Sequence, residues 1–436
     1  MVRVVSLVAS LLMLESAMPA NPDLAIRHAR IVSGGGRVTP QATVFVDHGR
    51  IVGIDPTGAA DGIAAKASIE AAGKTLIPGL IDAHVHVAPW AIPLFLRYGI
   101  TTVRDLHNDP AYILPLAREE STDRPRIVAA GAMLDGPGSF WKNALIVDDI
   151  WSARRAVRRE IEAGAGVIKV YTRLQPALVA VIVQEARARD VPVAAHLGKT
   201  TASAAAMVGV SSIEHLSGIA DAASDDPDRL LAAHDDFLRG WTAFELEWQS
   251  LKPAALDRVA RALAERNVVI VPTLALHEAF SRLADADLSA DPALSEVPPD
   301  VVASWDPHDI MTRAHWTPET LQAFKRTLPL LQRFVKLYSQ LGGRVVAGTD
   351  TPQQFVVPGV SLHRELELYV QAGLTPAAAL RTATKDAAEL LGVSDRTGSI
   401  DVGKDADLVL LEGDPLADIR ATRRIVVVVR GGVVVR

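Results

Sequence analysis

The pattern of apolar and polar positions changes twice along this chain. From Leu24 to Ile54 it consists of short apolar runs, and residues 47–49 predict a hairpin turn between two of them. After Pro78, short apolar runs alternate with segments in which apolar residues recur at helical spacing. After Arg396 the short apolar runs return. The pattern therefore predicts a central region of βα units between two β-rich ends.

The central region predicts an α/β fold, specifically a (β/α)8 TIM barrel. Repeated βα units give parallel strands with right-handed crossovers, and eight such units close into a barrel. Neither β-rich end has enough strands to bury a face alone, so we expect both to pair in a small composite β-sandwich of residues 22–77 and 396–436, beside a barrel of residues 78–395. The eight predicted strands are residues 81–87, 101–106, 126–130, 167–171, 191–197, 211–216, 268–274 and 344–350.

Other segments of the central region lack the strand pattern. Residues 217–253 form a polar insertion that contains tryptophans, and residues 277–316 form an irregular, proline-bearing stretch. Asp148 and Asp149 predict the N-terminal cap of a helix, and residues 360–390 predict two helices separated at Gly373.

The composition limits the chemistry that this chain can carry. It has 436 residues, 49% of them hydrophobic, a net charge of −6 and no cysteine. Disulfides and thiolate ligands are excluded, so a metal ion must be held by histidine, carboxylate or modified lysine. The charge gives no reason to expect nucleic acid as a partner.

The first 21 residues resemble a short signal peptide. Arg3 precedes an apolar run from Val4 to Leu14, and small residues follow up to Ala20. The run is too short to span a bilayer. We expect export to the periplasm or secretion without membrane insertion; the alternative is a disordered leader or a mis-assigned start on a cytoplasmic protein.

Histidines, a lysine and an aspartate mark the ends of five predicted strands. His84 and His86 alternate on one strand, so their side chains share a face and are able to grip one metal ion. Taken singly, each residue also fits a structural role: a packed core histidine, or a salt-bridged lysine. Catalytic groups of such barrels lie at the carboxyl ends of the strands, where this set of six residues falls: His84, His86, Lys169, His196, His215 and Asp350.

Two residues beyond Lys169 are candidates for substrate binding. Tyr171 and Arg173 follow at steps of two, so they share its inward face for as long as the strand persists. A guanidinium in that place is well shaped to hold a substrate carboxylate. The alternative is that the strand ends at Tyr171 and Arg173 turns out to solvent.

Two longer segments give the chain a resemblance to a known family. Residues 77–86 read IPGLIDAHVH, and residues 398–409 read GSIDVGKDADLV. With the six strand-end residues in order between them, the chain resembles the amidohydrolase superfamily, and within it the imidazolonepropionase-like amidohydrolases of the prolidase and Xaa-Arg dipeptidase type.

The resemblance implies a barrel with a composite β-sandwich and two divalent metal ions, with Zn²⁺ expected. It implies that Lys169 carries CO₂ as a carbamate and bridges both ions. His84, His86 and Asp350 would hold one ion, and His196 and His215 the other. Asp350 would also be the catalytic proton carrier, with His107 and His277 as the next candidates for a base.

We therefore expect a binuclear amidohydrolase that uses a metal-bridging hydroxide to cleave a C–N bond of a dipeptide or an N-acyl amino acid. One alternative is hydrolysis of a lactone, ester or phosphotriester by the same site. A distant alternative is a non-catalytic scaffold, which the presence of all six predicted ligands disfavours. The expected partners are a small-molecule substrate and further copies of the chain in a homo-oligomer.

Overall fold

The strands account for both β-rich ends and for the central region. The structure is a computed structural model that describes residues 19–436, so residues 1–18 of the expected leader lie outside the described residues. The seventeen strands of the described part are β1 Leu24–Val32, β2 Val38–Asp47, β3 Arg50–Asp55, β4 Ala67–Glu70, β5 Lys74–Pro78, β6 Leu80–Val85, β7 Ile100–Asp105, β8 Arg126–Ala129, β9 Leu134–Asp135, β10 Leu145–Ile146, β11 Ile168–Val170, β12 Val193–Ala195, β13 Ser212–Glu214, β14 Val269–Val271, β15 Leu408–Glu412, β16 Ile425–Arg430 and β17 Val433–Val434.

Helices follow most of the central strands. None of them within residues 19–436 has the length and apolar character that a membrane span requires. The sixteen α-helices of the same range are α1 Ile92–Arg97, α2 Pro110–Arg118, α3 Ile150–Ala163, α4 Pro176–Arg187, α5 Ala202–Val208, α6 Ile219–Ala223, α7 Pro227–Ala233, α8 Phe237–Glu247, α9 Pro253–Glu265, α10 Leu274–Ser281, α11 Pro299–Ser304, α12 Pro307–Ala314, α13 Pro318–Gln340, α14 Val360–Ala372, α15 Pro376–Thr382 and α16 Lys385–Leu390.

The two chain ends form one mixed sheet of eight strands. Its order is β17-β16-β15-β5-β1-β2-β3, and β4 pairs with β1. The ends of the chain meet where β15 runs antiparallel to β5, with Leu410 opposite Leu76. Both leucines belong to an apolar cluster of their own, separate from the main core. The N-terminal and C-terminal strands thus bury apolar side chains together in one cluster.

The central strands form two parallel sheets. One has the order β6-β7-β8 and the other β10-β9-β11-β12-β13-β14. The predicted strand at residues 344–350 is not a regular strand. It makes isolated parallel bridges instead, from Val345 to Ile270 of β14 and from Thr351 to Val85 of β6. The backbone of Asp350 has a φ of +64°, which interrupts the extended conformation that a continuous ladder needs.

Several helices correct the sequence-based expectations. The polar insertion at residues 217–253 contains helices α6 to α8, and the stretch 277–316, expected to be irregular, contains the end of α10 and helices α11 and α12. Residues 360–390 hold three helices rather than two, because a second break follows α15 at Ala383. The predicted cap is confirmed: the Asp149 side chain accepts hydrogen bonds from the backbone of Trp151 and Ser152 at the start of α3.

The pairing of the chain ends predicts how two substitutions affect stability. Leu410 is 2% exposed and packs at the junction of β5 and β15, whereas Val434 on edge strand β17 is 48% exposed. Leu410→Ala should lower the free energy of unfolding by about 3 kcal/mol, because it leaves a cavity in a shared core. Val434→Ala should cost less than about 0.5 kcal/mol. Urea unfolding followed by circular dichroism measures both, and equal losses would contradict the shared core.

Candidate metal centre

All six predicted metal ligands line one cavity, of about 430 Å³. His84 lies in β6 and Lys169 in β11, while His196 and His215 directly follow β12 and β13. Five of the six are buried, and the side chain of His86 is 26% exposed. The two parallel sheets therefore contribute to one group of predicted metal ligands, through side chains at or near the carboxyl ends of their strands.

Two of the histidines converge on one carboxylate oxygen of Asp350. Asp350 Oδ1 lies 2.9 Å from His86 Nε2 and 3.2 Å from His84 Nε2. Burial raises the pKa of Asp350, but the nearby imidazoles of His84 and His215 and the hydrogen bonds from His84 and His86 outweigh it and hold that pKa well below its usual range. The carboxylate is thus ionised and faces two imidazole nitrogens, which is a donor set that divalent zinc accepts.

His215 connects this group to His196. Ligand atoms of His84, His215 and Asp350 lie within 4.8 Å of one another. The ring centroids of His196 and His215 are 4.5 Å apart. Burial lowers the pKa of both of these histidines well below its usual range, so both rings are neutral and their nitrogens are available as ligands. The predicted ligands thus form one continuous cluster.

Lys169 is the least satisfied member of the cluster. Its side chain is 1% exposed, and within residues 19–436 its Nζ atom has no hydrogen-bond partner. Burial lowers the pKa of the amine to about 8. A buried ammonium without partners costs several kcal/mol, so the site calls for a neutral, modified or metal-bound group here. This orphaned amine fits a lysine that is carbamylated and neutralised by cations.

A buried ion pair orients His84. Glu214 Oε2 accepts a hydrogen bond from His84 Nδ1 at 2.8 Å, and Glu214 Oε1 accepts one from Arg104 at 2.9 Å. Burial alone would raise the pKa of Glu214, but Arg104 and His84 bring it down to about 2. The ionised carboxylate fixes the tautomer of His84 so that Nε2 points to Asp350.

Two other histidines are oriented in the same way. His86 Nδ1 donates to the carbonyl oxygen of His107 at 3.0 Å, and His215 Nδ1 lies 2.8 Å from Thr273 Oγ1. In each ring the remaining nitrogen, Nε2, is left for a ligand role. Hydrogen bonds of this kind raise the basicity of a ligating imidazole and fix the plane of its ring.

The backbone is strained at three positions of the site. His215, Thr273 and Asp350 have φ values of +59°, +51° and +64°, a region that residues with a Cβ atom seldom adopt. Each such residue costs of order 1 kcal/mol, which the surrounding fold must offset. Gly348 allows the close approach, since a Cβ atom there would lie 2.9 Å from the backbone nitrogen of His84.

The two predicted substrate-binding residues differ. Tyr171 lines the cavity, its ring 4.7 Å from that of His196, and its hydroxyl accepts a hydrogen bond from Trp141 Nε1. Arg173 does not line the cavity. Its Nε and Nη1 atoms donate to the carbonyl oxygens of Pro137 and Asp235, each at 2.6 Å. The prediction that Arg173 shares the inward face of Lys169 is wrong, because β11 ends at Val170 and residues 172–173 form a turn.

The two reserve candidates for a base have structural partners. His107 lines the cavity, but its Nε2 atom lies 2.9 Å from Asn143 Oδ1 and its Nδ1 atom accepts from the backbone of Met133. His277 lies 2.5 Å from Glu245 and stacks on Trp241. In the described part of the chain, Asp350 is the carboxylate that lines the cavity.

Sequence reasoning missed the orienting residues and the cavity walls. Glu214 and His84 are 130 positions apart, so no local spacing connects them. Several wall residues belong to α8, α10 and α12 or lie next to them, in or beside segments that the sequence pattern assigned to insertions. Phe140 and Trp141 lie in the loop between β9 and β10. The concentration of tryptophan in residues 217–253 was the one available signal.

A family model and a curated relative match this chain. The model of the amidohydrolase family matches residues 75–435. Over 308 residues the chain is 27% identical to ochratoxinase of Aspergillus niger, a match that covers 66% of this chain and 50% of that enzyme. The chain thus spans about half the length of the curated relative.

Solved structures share the fold over nearly the whole chain. A candidate prolidase from Bifidobacterium longum superimposes with a TM-score of 0.70 and 26% identity, and the match covers 96% of this chain and 95% of the other. Bottromycin amidohydrolase superimposes with a TM-score of 0.71 and 24% identity, over 96% of this chain and 88% of the other. The second likeness concerns the fold alone.

The ion pair beneath His84 generates a test of the centre. Glu214→Gln removes the charged acceptor for His84 and leaves Arg104 buried without its partner, so the affinity for added Zn²⁺ should fall by about 10- to 100-fold. Competition with a chromophoric chelator measures this affinity. Glu365→Gln is the matched control, because Glu365 is an equally buried carboxylate that accepts from the backbone of Leu274 and Ala275. Equal affinities in both variants would contradict the orienting role of Glu214.

Proposed function

The chain belongs to the amidohydrolase family, and we propose that it is a metal-dependent hydrolase that cleaves the C–N bond of a dipeptide or an N-acyl amino acid. The observation that carries the proposal is the orphaned Lys169 amine, buried in the same cavity as Asp350 and the four histidines predicted as metal ligands. Such a cluster is costly to bury unless cations and a modified lysine neutralise it. The likeness to a candidate prolidase and to ochratoxinase supports the amide bond as the target.

The residues would divide between two ions. His84, His86 and Asp350 would hold one ion and His196 and His215 the other, with Lys169 as a carbamate that joins them. The orphaned Nζ atom and the orientation of three Nε2 atoms toward the cavity fit this arrangement. When bound, divalent ions such as Zn²⁺ acidify water and polarise a carbonyl group.

Asp350 is the proton carrier of this proposal. Its Oδ1 atom faces His84 and His86, while within residues 19–436 no hydrogen bond reaches Oδ2. Oδ2 can therefore accept the proton that the attacking water releases and give it to the leaving nitrogen. Tyr171, packed against His196, forms part of the wall against which the substrate lies.

We also infer that the parallel sheets close into a (β/α)8 barrel. Residues 344–351 bond to β14 on one side and to β6 on the other, and Gly166 just before β11 donates to Ala129 of β8 at 2.9 Å. These contacts link the two sheets to each other. The barrel would comprise residues 78–395, and residues 22–77 with 396–436 would form the composite β-sandwich. We also propose that the chain is exported, since its first 21 residues resemble a signal peptide.

The role of Lys169 is tested by counting metal ions. Lys169→Ala removes the group that joins the two ions, so the purified variant should lose at least one ion per chain and most of its activity. Elemental analysis of protein reconstituted with Zn²⁺ measures the stoichiometry. The control is Lys199→Ala, since Lys199 forms an ion pair with Asp235 at 2.6 Å and does not line the cavity. Full metal content and full rate in the Lys169 variant would overturn its role.

The reaction class and Asp350 are tested together. The reconstituted protein is assayed on dipeptides, N-acyl amino acids, a lactone, an ester and a phosphotriester, with product analysis. We expect the amides to be cleaved fastest, and Asp350→Asn to lower that rate by roughly two to four orders of magnitude, because an amide cannot act as a base.

Asp386→Asn provides the control for this experiment. Asp386 is 7% exposed, against 8% for Asp350, and pairs with Arg381 outside the cavity. A loss of less than about tenfold in the Asp350 variant would assign the proton to another group. If the lactone, the ester or the phosphotriester were cleaved clearly faster than the amides, the proposal that the enzyme cleaves a C–N bond would be wrong.

A further inference from the structure

Aromatic rings cover the cavity above the predicted metal ligands. Aromatic residues make up 5% of the chain, yet they are seven of the 24 residues that line this cavity. A wall of this kind offers stacking surfaces to a flat, apolar group. The seven are Phe140, Trp141, Tyr171, Phe237, Trp241, Phe280 and Trp316.

One row of rings starts at His196. Its ring lies 4.7 Å from that of Tyr171, which stacks at 5.8 Å on Phe237, and Phe237 lies 4.8 Å from Phe140. Phe140 is 39% exposed and so marks the mouth of the cavity. This row leads from the metal centre to solvent.

A second row starts at His215. Its ring lies 6.2 Å from Trp241, which lies 5.6 Å from Phe280, and Phe280 lies 6.0 Å from Trp316. Trp241 and Trp316 are 6% and 4% exposed, so this row forms a firm wall. Trp316 is fixed further by a hydrogen bond from its Nε1 atom to Thr242.

Arg313 stands near the far end of the second row. It lies in the last turn of α12, three positions before Trp316, and it lines the same cavity. Apart from Lys169 in the metal centre, it is the one lysine or arginine among the lining residues. Its Nε atom donates to Asp309 at 2.8 Å, while within residues 19–436 its two terminal nitrogens make no hydrogen bond. The terminal nitrogens are therefore available to an anion.

We propose that the cavity takes an amide whose substrate carries both a carboxylate and a large aromatic group. The carboxylate binds the terminal nitrogens of Arg313, and the aromatic group packs on Trp241, Phe280 and Trp316. This subsite replaces Arg173, whose guanidinium is occupied by backbone carbonyls. The inference rests on the proposed amide hydrolysis and assigns its substrate class.

The test compares two substrates that differ only in the carboxylate. N-benzoyl-L-phenylalanine carries it, and N-benzoyl-L-phenylalaninol has a hydroxymethyl group in its place. Arg313→Met should raise KM for the acid about tenfold, the size of a charge-assisted hydrogen bond at a half-exposed site, and KM for the alcohol less than twofold. Arg313→Lys should restore part of the affinity for the acid. Equal effects on acid and alcohol would overturn the role of Arg313.

Arg261→Met is the matched control. Arg261 pairs with Asp257 at 2.8 Å in the same i,i+4 spacing and is 57% exposed, against 52% for Arg313, but it does not line the cavity. Its KM values should not change. The aromatic group is tested with N-acetyl-L-alanine, which has no ring and for which we expect kcat/KM to be at least about tenfold lower than for N-benzoyl-L-phenylalanine. Equal values would remove the aromatic requirement.

A binding measurement separates this inference from the proposed function. N-benzyl-L-phenylalanine lacks the scissile carbonyl, and its binding to metal-free protein is followed by tryptophan fluorescence. Arg313→Met should weaken it about tenfold, and unchanged binding would overturn the subsite. If the wild-type protein binds it in an Arg313-dependent way but cleaves neither amide, the proposed reaction is wrong and the subsite stands.

Discussion

A lysine amine buried without a partner is the constraint on which this site depends. Lys169 lies in a three-residue strand between apolar neighbours, with a side chain that is 1% exposed. An uncompensated ammonium there would cost several kcal/mol, a large share of the stability of a typical domain. The four histidines predicted as metal ligands and an ionised Asp350 line the same cavity, so cations bound among them would compensate for Lys169. The free-energy cost of burying Lys169 would thus be offset by the same cations that the proposed reaction requires.

Residues behind the predicted ligands fix the orientation of the ligand side chains. Glu214 lies between Arg104 and His84, so one buried ion pair both offsets a charge and sets a tautomer. Its neighbour in sequence, His215, turns into the cavity through a left-handed backbone and is held by Thr273. Two adjacent residues at the end of one strand thus have different roles: Glu214 orients His84, and His215 itself faces the cavity. The strain at His215, Thr273 and Asp350 is the cost of aiming side chains where a regular strand would not.

The parts of the site that follow from local periodicity could be predicted from the sequence. Alternation on a strand puts His84 and His86 on one face, and the position of Lys169 in an otherwise apolar strand indicates a special role for this lysine. Arg173 shows the limit, because its position depends on carbonyls of loops at Pro137 and Asp235 that strand spacing does not encode. The same holds for Arg313, since only the packing of α12 over the cavity brings it to the same cavity as Trp241. The helices in the two insertions were not predicted, because polar, proline-containing sequence is also typical of loops.

We propose that Lys169 joins two metal ions as a carbamate, and diffraction at the zinc absorption edge tests this role most directly. Crystals grown with Zn²⁺ and bicarbonate should show two anomalous peaks. One should lie about 2.0–2.2 Å from ligand atoms of His84, His86 and Asp350, and the other at that distance from His196 and His215. Carboxyl density should extend Lys169 between the two peaks. An unmodified amine beside a single peak, or no peak in this cavity, would contradict the claim.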